Sequence, residues 1–378
     1  MQFFGLIIDD VSIHALKKDL LESSVRFVVT RILILAIGFI CWTVFPERGQ
    51  VYDIKHTSEN ADFKKVWNKF DSVWYPKLAK EGYPQRPFTN DTEETWGFMP
   101  LYPIAIYLLA KLSGLDLFYA GILASNIFAL LGLFFLYRLA QEKFETGTDT
   151  LNMVLICAGS FFLNLVYAEG LFFFLSVLVF YLSHKKRFAL AFFFAGLASI
   201  TRIQGCLLFV IPAIDIIYTN FRTSYRYIPA AILGLTPMIA FMVYLDATCG
   251  EPLAFIKIQH AWGSTETYPL QGFVNLLTKA SPGSSFMNAS FWILIVAAVG
   301  SQYRRLPLSY LLFTLLYFML STSNEIVYGT TRYMLGVIPL FIAVPVSNKY
   351  VKEFFIVLNL MFLGVAIATF VTHTTAFL

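Results

Sequence analysis

Apolar runs recur along the whole chain, and the longest polar interruption between them is roughly Pro46 to Phe98. A bilayer core about 30 Å thick needs about 17 to 25 apolar residues per crossing helix. Eleven runs reach or approach that length: residues 25–45, 119–139, 151–166, 171–182, 188–200, 207–218, 228–245, 291–300, 306–320, 333–346 and 354–372. Only 14% of residues are charged, against about 25% in soluble domains. Aromatic residues reach 17%, which suits lipid-facing and interfacial surfaces. The expectation is a single all-α polytopic membrane domain over residues 1–378 with about 11 transmembrane helices. The net charge of +4 is scattered, which excludes a nucleic-acid footprint.

Processing and metal signals are missing. Asp9, Asp10, Asp19 and Glu22 precede the first apolar run, and that run ends without a small-residue cleavage site, so it does not read as a signal peptide. Cys41, Cys157, Cys206 and Cys249 lie far apart, with no metal-ligand spacing, and read as buried thiols. No nucleotide-binding glycine loop, HExxH, G-x-S-x-G or DxD motif occurs. Neither a metal nor a cofactor is expected.

Charge between the runs sets an orientation. The basic loops are 184–187 (HKKR), 222–226, 304–305 and 349–352. With Lys17, Lys18 and Arg26 they all fall on the cytoplasmic side, provided that 99–113 (MPLYPIAIYLLAKLS) does not cross. The opposite, exoplasmic face then collects the first loop (46–98, extending to 113 with this segment), Glu169, Arg202, 249–288 and 321–332. The 46–98 loop holds eight basic and nine acidic residues, a balance that suits a folded element.

Within that loop, Phe63, Val66, Trp67, Phe70, Trp74 and Leu78 follow the period of an amphipathic helix over 62–80, with Pro76 placed to bend or end it. Trp67 and Trp74 suit the headgroup level, and Asp71 lies beside the apolar stripe. Ionisable groups at membrane depth cost about 2.5 to 3.5 kcal/mol on insertion scales and call for a partner or a ligand. Glu169 (NLVYAEGLFFF), Arg202 (SITRIQG) and Arg332 (YGTTRYMLG) are the cases here. Two readings stand: Glu169 pairs with an arginine and locks helices together, or the arginines hold an anionic ligand, since a planar guanidinium binds phosphate oxygens in pairs. His260 and Trp262 in KIQHAWG fit either a structural or a binding role.

The same residues carry a family resemblance. FDSVWYPKLAKEGYP followed by FMPLYPIAIYLLAKLSGL resembles the WDG-x-WY…A-x-x-GY…FPLYP pattern of the PIG-V-like (glycosylphosphatidylinositol mannosyltransferase II-like) family. FFLNLVYAEGLFFF, SITRIQGCLL, CGEPLAFIKIQHAWG and TTRYMLGVIPLFIAV are similar to its later segments, in the same order, over about residues 60 to 345. Phe70, Ser72 and Gly170 depart from the pattern, where the family has Trp, Gly and Ser. Asp71, Glu169, Arg202 and Arg332 keep it.

The resemblance implies a GT-C fold and an inverting glycosyltransferase. It would move a hexose, mannose in the best-known members, from a polyprenyl-phosphate donor to a lipid or glycan acceptor on the non-cytoplasmic face. The length is like that of the shorter prokaryotic members, which places the chain in a bacterial inner membrane, or in the endoplasmic reticulum if eukaryotic. It further implies Asp71 as base, Arg332, Arg202 and Lys257 at the donor phosphate, and Glu169, His260 and Tyr102 around the sugar, without a metal. Two rival classes remain: a lipid or glycolipid transporter (flippase), which usually shows two similar halves absent here, and a non-catalytic assembly subunit.

Overall fold

The computed structural model describes residues 13–45, 62–263, 267–278, 284–325, 327 and 329–372. Residues 46–61 of the first loop, together with Asp9 and Asp10, lie outside the described residues. Every regular element described is helical.

The first helix, α1 (Ile13–Val44), is followed by two short helices, α2 (Phe63–Trp67) and α3 (Trp74–Glu81), with a 3-10 turn at Phe70–Val73 between them. Then come α4 (Leu101–Ser113), α5 (Leu117–Phe144), α6 (Gly147–Ile156), α7 (Glu169–His184) and α8 (Phe188–Ser199). The chain continues through α9 (Val210–Asn220), α10 (Ile228–Cys249), α11 (Ala254–Lys257) and α12 (Gln271–Thr278). It ends with α13 (Ser284–Ser301), α14 (Leu308–Ser321), α15 (Thr330–Met334), α16 (Ile338–Val346) and α17 (Lys349–Val371).

The centre of the bundle is α7. It packs on α5 on one side and α8 on the other, and nearly all of its residues are buried, as expected of a helix that is apolar all round. At the periphery lie α1 and α10, with Ile32, Leu33, Ile232, Leu233 and Val243 facing outward. Such apolar outer surfaces suit lipid, and the protein is an integral membrane protein. Cys157 and Cys249 are buried as expected, whereas Cys206 is on the outer surface.

Four of the eleven expected spans belong to helices long and apolar enough to cross a membrane by themselves: Leu16–Val44, Leu117–Phe144, Phe221–Cys249 and Lys349–Val371. Two others are broken. The run 151–166 leaves α6 at Ile156, passes Gly159, turns through a 3-10 segment at Ser160–Asn164 and is extended at Leu165. The run 333–346 is divided between α15 and α16, and α16 restarts with Pro339 in its first turn, where a missing N–H costs nothing. Hydropathy is the same across such a break as across a continuous helix, so the apolar pattern alone could not reveal it.

The amphipathic helix expected over 62–80 is also divided. Asp62 caps α2 by accepting the Lys64 N–H at 3.1 Å. Phe70 adopts φ +53°, a left-handed conformation that a residue with a large side chain takes only when its surroundings demand it. Its ring packs at 5.6 Å on Phe370, which also meets the rings of Trp67, Phe161, Phe162 and Tyr167. Pro76 therefore sits in the first turn of α3 and neither bends nor ends a longer helix. The period still finds the inner side, since Val66, Trp67 and Leu78 are buried. In α4 the 13 residues span about 20 Å, less than a bilayer core.

Candidate functional site

Glu169 is the first residue of the 16-residue α7, where the positive end of the helix favours a carboxylate. Its Oε1 accepts from two guanidinium groups, Arg202 Nη1 and Arg332 Nε, the latter at 2.8 Å. Arg332 Nη1 extends the chain to Asp71 Oδ2 at 2.7 Å. Four segments of the chain thus meet in one line of charges: Arg202, Glu169, Arg332 and Asp71. The line contains two carboxylates and two guanidiniums and is formally neutral.

Local structure explains why each group stands there. Asp71 follows the strained Phe70 and lies on a 3-10 turn that Ser72 stabilises from inside, its buried hydroxyl donating to the Lys69 carbonyl at 2.7 Å. The departures Phe70 and Ser72 therefore both have packing roles. Gly170 has one too, because a Cβ there would lie 2.6 Å from the Ser125 carbonyl oxygen of α5. Arg332 lies 5.0 Å above the Tyr167 ring and 5.4 Å from that of Phe162, and Arg202 lies 5.6 Å from Tyr333. Aromatic faces of this kind hold a guanidinium flat without using up its N–H donors.

The two carboxylates differ. Glu169 is 2% exposed and held by two arginines, whereas the Asp71 side chain is 33% exposed and has, among the described residues, a single ion-pair partner. Among the described residues, Glu169 Oε2 is buried with no hydrogen-bond partner, as are the hydroxyls of Thr330 and Thr331 beside Arg332. A buried polar atom without a partner costs about 1–3 kcal/mol, and a ligand hydroxyl or water is the usual way to satisfy it.

The remaining sequence candidates lie outside this line. Tyr102 is fully buried, with its hydroxyl at 2.6 Å from Ser125 Oγ and 3.0 Å from the Gly121 carbonyl. Its ring meets Tyr75 edge-on at 4.9 Å, and Tyr75 meets Tyr167 at 6.4 Å, so Tyr102 supports the cluster through two rings. Burial pushes the Tyr75 phenol above its ordinary range and keeps it protonated. Lys257 is half exposed and bonded to Glu251, whose carboxyl it holds below the usual carboxylate range. His260 is exposed, while its neighbour Trp262 packs edge-on against Trp74 and Phe98. Tyr167 and Phe162 carried no role in the sequence. Only their place in the segment ending at Glu169 could have drawn notice.

The pairing of Glu169 with both arginines fits the helix-locking reading, and the unpartnered Oε2 fits the ligand-holding one. Asn288, in one of the two glycosylation sequons (90–92 and 288–290), is buried and faces the Val327 carbonyl. Among the described residues no three His, Cys, Asp or Glu side chains converge as a metal site.

No family model matches the chain, and no curated protein matches it. Among solved structures, the chain is similar to the oligosaccharyltransferase of Archaeoglobus fulgidus, crystallised with a tethered acceptor peptide containing the NVT sequon. The two are 11% identical with a TM-score of 0.45, over 93% of this chain and 55% of that one. This chain spans about half the length of that protein.

Proposed function

We propose that the protein is a GT-C membrane glycosyltransferase. It transfers a hexose, mannose by its motif resemblance, from a polyprenyl-phosphate donor to a hydroxyl of a lipid or glycan acceptor, with inversion. The observation that carries this reading is the Asp71–Arg332 pair within a neutral cluster that leaves one Glu169 oxygen open. The basic-loop pattern supports an exoplasmic position for it.

In a single displacement the acceptor oxygen attacks the anomeric carbon and its proton passes to Asp71. The bond from that carbon to the phosphate oxygen breaks, and its electron pair stays on the phosphate. The transition state resembles an oxocarbenium ion. Arg332 and Arg202 stabilise the charge that grows on the departing phosphate, and Glu169 Oε2 accepts from a sugar hydroxyl. A phosphate entering a neutral cluster brings uncompensated charge, which is costly at this burial unless a carboxylate gives way. Glu169 is fixed by two arginines and Asp71 by one. The phosphate therefore displaces Asp71 from Arg332, leaving the carboxylate free to take the acceptor proton only when donor is present.

The test is to incubate the purified protein with labelled polyprenyl-phosphate mannose and a membrane lipid extract. A new labelled glycolipid supports the reading, and label that stays on the donor refutes it. The two broken helices meeting beside Arg332 favour a second reading, a lipid-phosphate transporter, since broken helices often line transport sites. Label that crosses a vesicle membrane chemically unchanged would favour that reading.

A further inference from the structure

Arg31 is 5% exposed, lies within the transmembrane helix α1 and touches none of the four clustered charges. Its guanidinium lies 5.2 Å from the Phe27 ring and donates to the carbonyls of Leu155, at 3.4 Å, and Ser160. These two carbonyls flank the break after α6. The Ser160 hydroxyl also donates to the Leu155 carbonyl, at 2.9 Å. From the other side, the fully buried Asn359 of α17 accepts the Ala158 N–H at 3.0 Å and donates to the Phe355 carbonyl at 3.0 Å. Lipid offers no hydrogen bonds to backbone groups freed by a broken helix, so protein side chains must supply them. The break and Asn359 stand at a similar depth. From Gly147 to the break α6 rises about 14 Å, and from Lys349 to Asn359 α17 rises about 15 Å.

What the break supports is Arg332. Gly159 lies in the break, and a Cβ on it would overlap the carbonyl oxygen of Thr331, the residue before Arg332. Three residues further on, Phe162 places its ring beside the Arg332 guanidinium. We infer that Arg31 and Asn359 are positioning residues for Arg332. They fix the break at 157–160 against Thr331, and the break sets where the guanidinium stands. The consequence for donor binding rests on the proposed role of Arg332 as phosphate ligand, whereas the placement of Arg332 does not.

The test uses two readouts on the full chain in detergent. One is phenylglyoxal labelling of Arg332, measured by peptide mass spectrometry. The other is equilibrium binding of farnesyl phosphate, a short isoprenyl phosphate. Asn359→Leu removes one support. Gly159→Ala disturbs the contact with Thr331 directly. Arg31→Lys is the mildest change, keeping the charge but losing one donor arm. Arg138→Leu, in a separate buried network, controls for general loosening.

In the first three variants Arg332 labelling rises severalfold and farnesyl phosphate binds about tenfold more weakly. Neither change occurs in Arg138→Leu. Combined with Arg332→Ala, the binding losses do not multiply, as expected of residues acting through one contact. Folded variants with Arg332 labelled as in the native protein, or losses that multiply with Arg332→Ala, overturn the inference. Labelling that rises while phosphate binding stays unchanged upholds the positioning of Arg332 and refutes its role as phosphate ligand.

Discussion

The buried Arg138 and the part-buried Arg332 are both arginines shared between two carboxylates, and their surroundings differ. Arg138 stands on the unbroken α5 and meets Asp19 of α1 at 3.2 Å, Glu142 at 2.7 Å and the Tyr181 hydroxyl at 3.3 Å. Glu142 in turn reaches Lys185 at 3.0 Å. None of the buried polar atoms of Asp19, Arg138, Glu142 or Tyr181 is left without a partner. Arg332 stands on a five-residue helix between breaks; among the described residues its partner Glu169 keeps one oxygen unpartnered, and Asp71 is held by a single pair. A saturated network between continuous helices joins them. An unsaturated one, with one carboxylate loosely held, can exchange a partner for a ligand.

That contrast can be broken by substitution. Glu169→Ala should have the largest effect. It leaves the part-buried Arg202 guanidinium without its carboxylate and Arg332 with Asp71 alone, and breaking a pair of this kind typically costs about 3–5 kcal/mol. Unfolding in detergent should show this together with the loss of transfer. Arg138→Leu should cost about 1–3 kcal/mol, because water reaches the partly exposed acids left behind. Its donor KM should stay at the native value. A raised KM with unchanged stability would erase the distinction between the two networks. Lys257→Ala removes an exposed pair and should cost less than about 1 kcal/mol. It should move farnesyl phosphate affinity by less than about twofold, and a loss of tenfold would bring Lys257 back to the phosphate.

Much of the fold is legible in the sequence, and the reason is hydropathy. The runs ending near Val44, Leu139 and Thr372 are long helices, and the buried side of 62–80 follows from its period. The breaks at 157–160 and 335–337 are not legible, because Gly159 and the Leu335–Val337 turn are as apolar as the helices they interrupt. For the candidate site, burial cost singled out Glu169, Arg202 and Arg332, and motif resemblance added the role of Asp71. Pairing of Glu169 with an arginine was one of the two readings, but the Asp71–Arg332 pair was not legible, since these two meet only through tertiary packing across most of the chain. Lys257 carried the right charge for a phosphate, but Glu251, six residues earlier, already takes it up. Arg31 and Asn359 stood in apolar runs where nothing nearby in sequence marks the carbonyls and N–H groups that they meet.

The measurement closest to the central claim follows one substitution, Asp71→Asn, by two readouts. Without the carboxylate, transfer from labelled polyprenyl-phosphate mannose should fall by about 10² to 10⁴, the usual contribution of a general base. Because Asp71 no longer competes for Arg332, farnesyl phosphate should bind more tightly than it does to the native protein. A variant that keeps transfer within a few-fold of native, or that binds farnesyl phosphate no better, would contradict a base held by Arg332 until the donor releases it.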